Sequence, residues 1–378
     1  MPKRPRLAFV IGLLAFAAAF EATVRLEDLV RYGTPLLADA RSQSDLLMAD
    51  SLGVRGRPHG RFRQWSLDSL GYRGPEVARI PPPGTVRIVA VGASETFGLL
   101  EDSGMEFPRQ IEDSLNALAG REDGVCGSGT HYEVVNAALP GMYLPTAVQS
   151  VRGHIAGLAP DAILFYPTPH QYLDIEVPRA TTGLPRPETL PDWFRPFLPR
   201  STGRLRDAAK QVLPTPISMA IRRGEIGALL QSHPPGWEFT DIPPDRTAAL
   251  DGDLRALVGA IREIGAIPIL ATHANRFLGA SAPADEELML MWRRYAPRAT
   301  AATILAFDSA ANAVIRRVAA DSSVAVVPVD SAFRASPSDN SCGDYIHFTN
   351  RGSGVVAAAA APVIARATGT HRPPCGPD

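Results

Sequence analysis

Ser94 follows the apolar run Val86-Arg87-Ile88-Val89-Ala90-Val91 and stands in the stretch Gly92-Ala93-Ser94-Glu95-Thr96-Phe97-Gly98. A serine set between glycines just past a buried strand can be a nucleophile presented at a turn, if a nearby base takes its proton. Spacing tests the rival chemistries. A phosphate-cradling loop needs the pattern G-x-x-x-x-G-K-S/T, but five residues separate Gly92 from Gly98 and no lysine follows. A dinucleotide fingerprint needs G-x-G-x-x-G, which Ala93 and Ser94 break. The G-x-S-x-G elbow needs glycine two places after the serine, where Thr96 stands. Spacing alone therefore leaves Ser94 open between a nucleophile and a plain strand-end turn.

A second chemistry-bearing pair lies near the other end, in Cys342-Gly343-Asp344-Tyr345-Ile346-His347-Phe348-Thr349. If this segment turns, Asp344 can accept one imidazole N–H of His347 and fix its tautomer. The other ring nitrogen is then free to take a serine proton. A lone D-x-x-H pair is also compatible with a surface pair or a helix cap. The eight histidines show no H-E-x-x-H or other ligand spacing, so the sequence implies neither a catalytic metal nor another cofactor.

These residues must be positioned by the elements around them. Short apolar, β-branched or aromatic runs predict strands at Val86–Val91, Tyr132–Asn136, Ala162–Tyr166, Ile267–Thr272 and Val324–Val329. Helical patterns lie between and after them at Pro108–Ala119, Pro145–Leu158, Arg246–Ile264, Thr303–Ala320 and Thr349–Ala367. Repeated βα units argue for an open parallel sheet with helices on both faces, an α/β fold. Ligands in such sheets bind outside the carboxyl ends of the strands. Ser94 and His347 both follow predicted strands, so one sheet edge can bring them together. The proline-dense interval 173–245 is too long for a structureless loop and is expected to form a lid near that edge. A shorter interruption at about 273–300 can cover the same edge.

Together the blocks resemble those of the SGNH (GDSL-type) hydrolase family. Variants of its first block look like Gly92 to Gly98, which implies Ser94 as nucleophile with its own N–H in the oxyanion hole. The second block is similar to Val134-Val135-Asn136-Ala137-Ala138-Leu139-Pro140-Gly141 and implies the Gly141 N–H as a second oxyanion donor. The last block, Asp-x-x-His before a helix, matches Asp344 and His347. Asp68-Ser69-Leu70-Gly71-Tyr72-Arg73-Gly74 looks like the lead-in of membrane-anchored, bacterial-type members. The resemblance covers residues 65–366. It implies a three-layer α/β/α, flavodoxin-like parallel sheet. The third block departs, because His170 stands where the family has its oxyanion asparagine. A neutral imidazole can donate one N–H, so His170 is the candidate replacement. Asn275 and Arg276, after the fourth strand, are candidates for substrate binding. Asn136 most simply holds a turn, and Asp330 reads as a structural cap.

The remaining features set the compartment. Charge is nearly balanced, with 38 Lys+Arg against 39 Asp+Glu, which argues against an electrostatic nucleic-acid binder. Lys3, Arg4 and Arg6 precede the apolar run Leu7–Phe20. That run makes about 21 Å of helix, and extension through Val24 makes about 27 Å, against a hydrocarbon core of about 30 Å. An anchor continuing through Glu21 and Arg25 and a signal peptide cleaved near Ala17-Ala18-Ala19 both fit. Either sends the remainder to the exported side of the membrane. Export permits disulfides. Three cysteines, Cys126, Cys342 and Cys375, allow at most one internal bridge, Cys342 with Cys375 being one option. The expected organisation is an anchor or signal at 1–25, a lead-in at 26–84, the catalytic domain at 85–367 and a polar tail at 368–378. The expected activity is hydrolysis of O-acyl esters on an envelope carbohydrate or lipid. Acyl transfer to a polysaccharide by the same triad, and glycan binding without turnover, are the alternatives.

Overall fold

The computed structural model describes residues 4–38, 42–122, 130–173, 199–201, 204, 215–278, 286–336 and 340–369. In chain order, α1 (Arg4–Tyr32) leads into β1 (Leu47–Asp50), β2 (Gly53–Gly56), β3 (Arg61–Phe62), β4 (Trp65–Ser66) and β5 (Thr85–Gly92). Then come α2 (Ser94–Phe97), α3 (Phe107–Glu122), β6 (His131–Asn136), α4 (Leu144–Ser150) and β7 (Ala162–Tyr166). After the long interval come α5 (Thr215–Gln231), α6 (Pro244–Glu263), β8 (Ile267–Ala271), α7 (Glu286–Tyr295) and α8 (Ala301–Asp321). The chain closes with β9 (Ala325–Val327), α9 (Val329–Ala335) and α10 (Asn350–Gly369).

Five strands form one parallel sheet in the order β6-β5-β7-β8-β9. The chain starts at β5, steps outward to β6, then crosses back to build β7, β8 and β9. The reversal at β5 is the switch point where such sheets open a crevice at their carboxyl ends. β5 is buried on both faces. Val89 and Val91 enter one core with α4, α6 and α8, while Ile88 and Ala90 enter the other with α3 and α10. The two-residue period of a strand makes this possible because every position from Ile88 to Val91 is apolar. On α3 the buried residues are Phe107, Ile111, Leu115 and Ala119, one stripe at four-residue spacing. This is the expected three-layer α/β/α domain.

Two elements depart from expectation. The lead-in, for which the sequence predicts no strand, carries the hairpins β1–β2 and β3–β4. Leu46, Phe62, Trp65 and Leu67 from this lead-in share a small core with Phe97 and Ala138. Residues 145–158, expected as one helix, fall in α4, then a π turn at Val151–Ile155, then a 3₁₀ turn at Ala156–Leu158.

Helix α1 contains a 25-residue stretch, Ala8–Tyr32, long and apolar enough to cross a membrane by length and composition. Phe9, Leu13, Leu14 and Phe16 are exposed, whereas Val24 and Asp28 are buried. Glu21 accepts the backbone N–H groups of Arg200 at 2.9 Å and Ser201 at 2.9 Å, and Asp28 pairs with Arg204 at 2.8 Å. The second half of α1 is thus built onto the chain that follows β7. Most of the expected lid, and both Cys126 and Cys375, lie outside the described residues. The described remainder, α5, runs along α7 through Arg222–Glu287 at 3.1 Å and Arg294–Glu225 at 3.5 Å. The two interruptions therefore meet. Cys342 is buried and forms no disulfide among the described residues, so the Cys342–Cys375 option lies outside them.

Candidate active site

Ser94 is the first residue of α2, immediately past the carboxyl end of β5. The first N–H groups of a helix have no partner within it, so the Ser94 amide is not consumed by α2. Gly92 permits the turn. A Cβ there would overlap Thr96 Oγ1 and lie 2.7 Å from the Tyr166 carbonyl. At the far end of α2, Gly98 adopts φ 80°, the left-handed C-terminal conformation. The carbonyls left open there are capped by side chains. Arg73, from the lead-in, donates to Phe97 and Gly98 O. Asn136, at the end of β6, donates to Thr96 O at 3.0 Å. Asn136 thus holds a turn as expected, and the turn it holds carries Ser94.

His347 arrives from the loop between α9 and α10. Its Nε2 lies 2.8 Å from Ser94 Oγ, and its Nδ1 lies 2.6 Å from Asp344 Oδ2. Asp344 Oδ1 accepts the backbone N–H groups of Ile346 at 2.9 Å and His347 at 2.8 Å. The carboxylate therefore both folds the segment and orients the ring. Burial alone lowers the His347 pKa, but the bond and charge of Asp344, with the charges of Glu95 and Glu101, raise it above its ordinary value. Asp344 is partly buried, which acts to raise its carboxyl, yet His347 and the two N–H donors keep it below the usual range.

The two further oxyanion candidates differ in what surrounds them. Gly141 follows the second block with φ 78°, a left-handed backbone that turns the chain just before α4. His170 sits in the 3₁₀ turn Pro169–Leu173, after β7. Burial lowers its pKa to about 4, although the charge of Glu95 acts to raise it. It is therefore a neutral imidazole at ordinary pH, the form that can donate one N–H and accept at the other nitrogen. Its ring stands edge-on to Trp292 at 5.9 Å between centroids. Its Nδ1 has no hydrogen-bond partner among the described residues.

Asn275 and Arg276 do not share a role. Asn275 donates to Asp308 Oδ2 at 2.8 Å and accepts the Phe277 N–H at 2.9 Å. Both ends of its amide are engaged within the protein, so its place is in holding the loop rather than in meeting a substrate. Arg276 donates from Nη1 to Cys342 O at 2.8 Å, and its backbone N–H bonds Tyr345 O at 3.0 Å. It ties the loop after β8 to the loop carrying Asp344. It also lines a cleft of about 610 Å³ with Leu100, Asp102, Gly343 and Asn350. Asp330 accepts from Thr272 Oγ1 at 2.7 Å and from Arg316 at 2.6 Å, the structural cap expected.

A buried set of ionisable groups escaped the reading of the sequence. Glu95, next to the serine, is fully buried. It lies 3.1 Å from Ser94 Oγ and 3.0 Å from Thr168 Oγ1. His273 Nε2 stands 3.7 Å from Glu95 Oε1, an ion-pair distance beyond a hydrogen bond. Its other nitrogen bonds Asp308 Oδ1 at 2.5 Å. Burial would raise Glu95, but His273, with the charges of His347 and His170, brings it down to about 2. Burial would lower His273, but Asp308 and Glu95 raise it to about 9. His273 was visible as a residue past a strand end. Asp308 was not, because nothing local distinguishes a buried aspartate in the middle of a helix.

No protein-family model matches the chain, and none of the curated proteins does. Among solved structures it is similar to an alpha/beta hydrolase enzyme from the metagenome of Lake Arreo, Spain, at 15% identity and TM-score 0.41 over 76% of this chain and 97% of that one. A lipase/acylhydrolase from Enterococcus faecalis overlaps at 14% identity and TM-score 0.42, over 74% and 95% of the two chains. A catalytic mutant of an acetylxylan esterase from Geobacillus stearothermophilus overlaps at 12% identity and TM-score 0.41, over 74% and 94%. Likenesses this distant carry no argument about the site. The fold rests on the strand order, and the chemistry on the distances above.

Proposed function

We propose that the chain is a serine esterase that cleaves carboxylic esters through an acyl-enzyme. One observation carries the reading: Ser94 Oγ, His347 and Asp344 form an unbroken chain of hydrogen bonds, 2.8 Å and 2.6 Å long. Ser94 Oγ attacks the ester carbonyl carbon while His347 Nε2 takes its proton. The negative charge on the carbonyl oxygen is met by the N–H groups of Ser94 and Gly141, with His170 as third donor. Collapse breaks the bond to the alcohol, which leaves with the proton from His347. Water then attacks the acyl-enzyme, gives its proton to His347, and releases the acid as the serine is restored. The resemblance of the blocks to SGNH hydrolases supports the same roles.

The setting narrows the substrate. Helix α1 acts as an uncleaved anchor in this reading, because its exposed apolar first half runs without a break into the half through which Glu21 and Asp28 hold Arg200, Ser201 and Arg204. An enzyme so tethered on the exported side meets O-acyl groups on envelope carbohydrates or lipids. The test is hydrolysis of p-nitrophenyl acetate and of an O-acetylated oligosaccharide by the full chain in detergent. Turnover is expected to fall more than about 10⁴-fold in Ser94→Ala. Turnover equal in wild type and Ser94→Ala overturns the proposal. Acceleration of acyl release by added sugar acceptors reassigns the enzyme as a transferase.

A further inference from the structure

Two hydrogen-bond partners converge on the one hydroxyl of Ser94. His347 Nε2 is 2.8 Å from Oγ and Glu95 Oε2 is 3.1 Å from it. A hydroxyl carries one hydrogen and can donate to one acceptor at a time. With His347 neutral and Glu95 ionised, both partners are acceptors and one contact goes unmade. With His347 protonated, Nε2–H donates to Oγ and the serine O–H donates to Glu95. Both contacts are then satisfied. The geometry thus suits the imidazolium form.

The charge on Glu95 is fixed from behind. Asp308 holds His273 Nδ1, His273 Nε2 faces Glu95 Oε1 at 3.7 Å, and Thr168 Oγ1 donates to that same oxygen at 3.0 Å. Glu95 and His273 are both inaccessible to solvent, and Asp308 is nearly so. A carboxylate is not left at the heart of a domain without reason, since breaking such a network costs several kcal/mol.

We infer that Glu95 is a second carboxylate of the catalytic centre, which accepts the Ser94 hydroxyl when His347 is protonated and stabilises the imidazolium that forms as Ser94 attacks. The inference rests on the proposed triad. At low pH the serine proton is held by Glu95 and the enzyme is silent. As pH rises, His347 loses its Nε2 proton, the serine hydroxyl turns to it, and attack becomes possible. During attack the proton moves from Oγ to Nε2, and Glu95 and Asp344 balance the new positive charge. The other ionisable groups facing this centre are Glu101, which burial pushes up to about 7 and whose charge then reaches His347, His273, whose charge reaches Glu95, and His170, which is neutral at ordinary pH. The Tyr166 hydroxyl lies on the β7 side, bonded to the Ala274 carbonyl at 3.3 Å.

The test is the pH dependence of fluorophosphonate labelling by the full chain in detergent, for wild type, Glu95→Gln and Glu95→Asp. Removing the charge is expected to move the acidic limb to lower pH. The ratio of labelling rate at about pH 5.5 to that at about pH 8 should rise at least about threefold in Glu95→Gln. The plateau rate should fall about 10-fold or more, as an imidazolium partner is lost. Glu95→Asp keeps the charge but withdraws it from Oγ. It should shift the limb the same way by less, and it answers the question if Glu95→Gln does not fold. A folded variant whose limb matches wild type overturns the inference. A lower plateau with an unmoved limb marks Glu95 as structural only, which also overturns it. If the wild type does not label at any pH, the triad reading fails and takes this one with it. If it labels through Ser94 but no Glu95 variant moves the limb, only the role of Glu95 falls.

Discussion

Gly92 shows how one residue type is required by the site. A side chain there meets Thr96 Oγ1 and the Tyr166 carbonyl, neither at the end of a flexible chain. Gly92→Ala is expected to cost about 1–3 kcal/mol of stability as β5 and α2 shift apart. Thermal unfolding reads the cost, and labelling of Ser94 reads the displacement. His170 poses a different question at the same scale. If its neutral ring is the third oxyanion donor, His170→Ala lowers kcat about 10²–10³-fold with little change in KM. His170→Asn should recover part of that loss, because an amide N–H can replace the imidazole N–H. Equal kcat in all three proteins would leave the oxyanion to the two backbone donors. Residue types and their place past strand ends made Ser94, Asp344 and His347 candidates, and their roles were implied by the resemblance of the blocks to SGNH hydrolases. The Glu95–His273–Asp308 set was not, because its partners are 35 residues apart and meet only once α8 packs under the sheet.

Helix α2 is a single turn, too short to be stable by itself, and its position is set by what grips its ends. Arg73 is buried and donates to the Phe97 and Gly98 carbonyls, with Glu106 Oε2 3.5 Å from its Nη2. Arg73→Met is expected to leave Glu106 and the Gly98 carbonyl without this partner and the Phe97 carbonyl with only the 3.4 Å contact from Asn136, destabilising by about 3 kcal/mol. It should also slow ester hydrolysis although it lies outside the triad. A variant with normal activity would show that Asn136 alone holds the turn. The lead-in thus packs on the α/β domain and grips α2. Its hairpins were hard to read because Leu46, Phe62, Trp65 and Leu67 follow no long alternation. Their burial comes from Phe97 and Ala138, which belong to the site. The main strands were clearer. β7 spans Ala162–Tyr166, the run expected, because a strand buried on both faces announces itself as continuous apolar sequence. α5 and α7 were read only as parts of interruptions. Trp292 of α7 stacks on Phe277 and Tyr345, and α5 meets α7 through Arg222–Glu287, partners that no local period reveals.

Across the whole molecule, charge sets the working pH. Hydrolysis needs His347 neutral, and its pKa is raised by Asp344, Glu95 and Glu101 against the effect of burial. The rate is therefore expected to climb with pH through a midpoint above that of an ordinary histidine at about 6.5, which a kcat/KM profile measures. Stability follows a different window. His273 is raised to about 9, so its contribution is complete below its ordinary pKa and is lost as pH rises through 9. Glu95 is lowered to about 2, so its contribution is present above the ordinary carboxyl range and is lost as pH falls toward 2. The unfolding temperature should therefore decline as pH rises from about 6.5 to about 9, and the decline should be smaller in Asp308→Asn, where His273 has lost its anchor.

The central claim is that Ser94 is an activated nucleophile. Its most direct test is covalent labelling of the full chain by a fluorophosphonate, with the modified peptide mapped by mass spectrometry. The expected result is a single adduct on Ser94 that is absent in Ser94→Ala and at least about 10³-fold slower in His347→Ala. Folded wild-type protein without an adduct on Ser94, or one that labels equally well without His347, would contradict it.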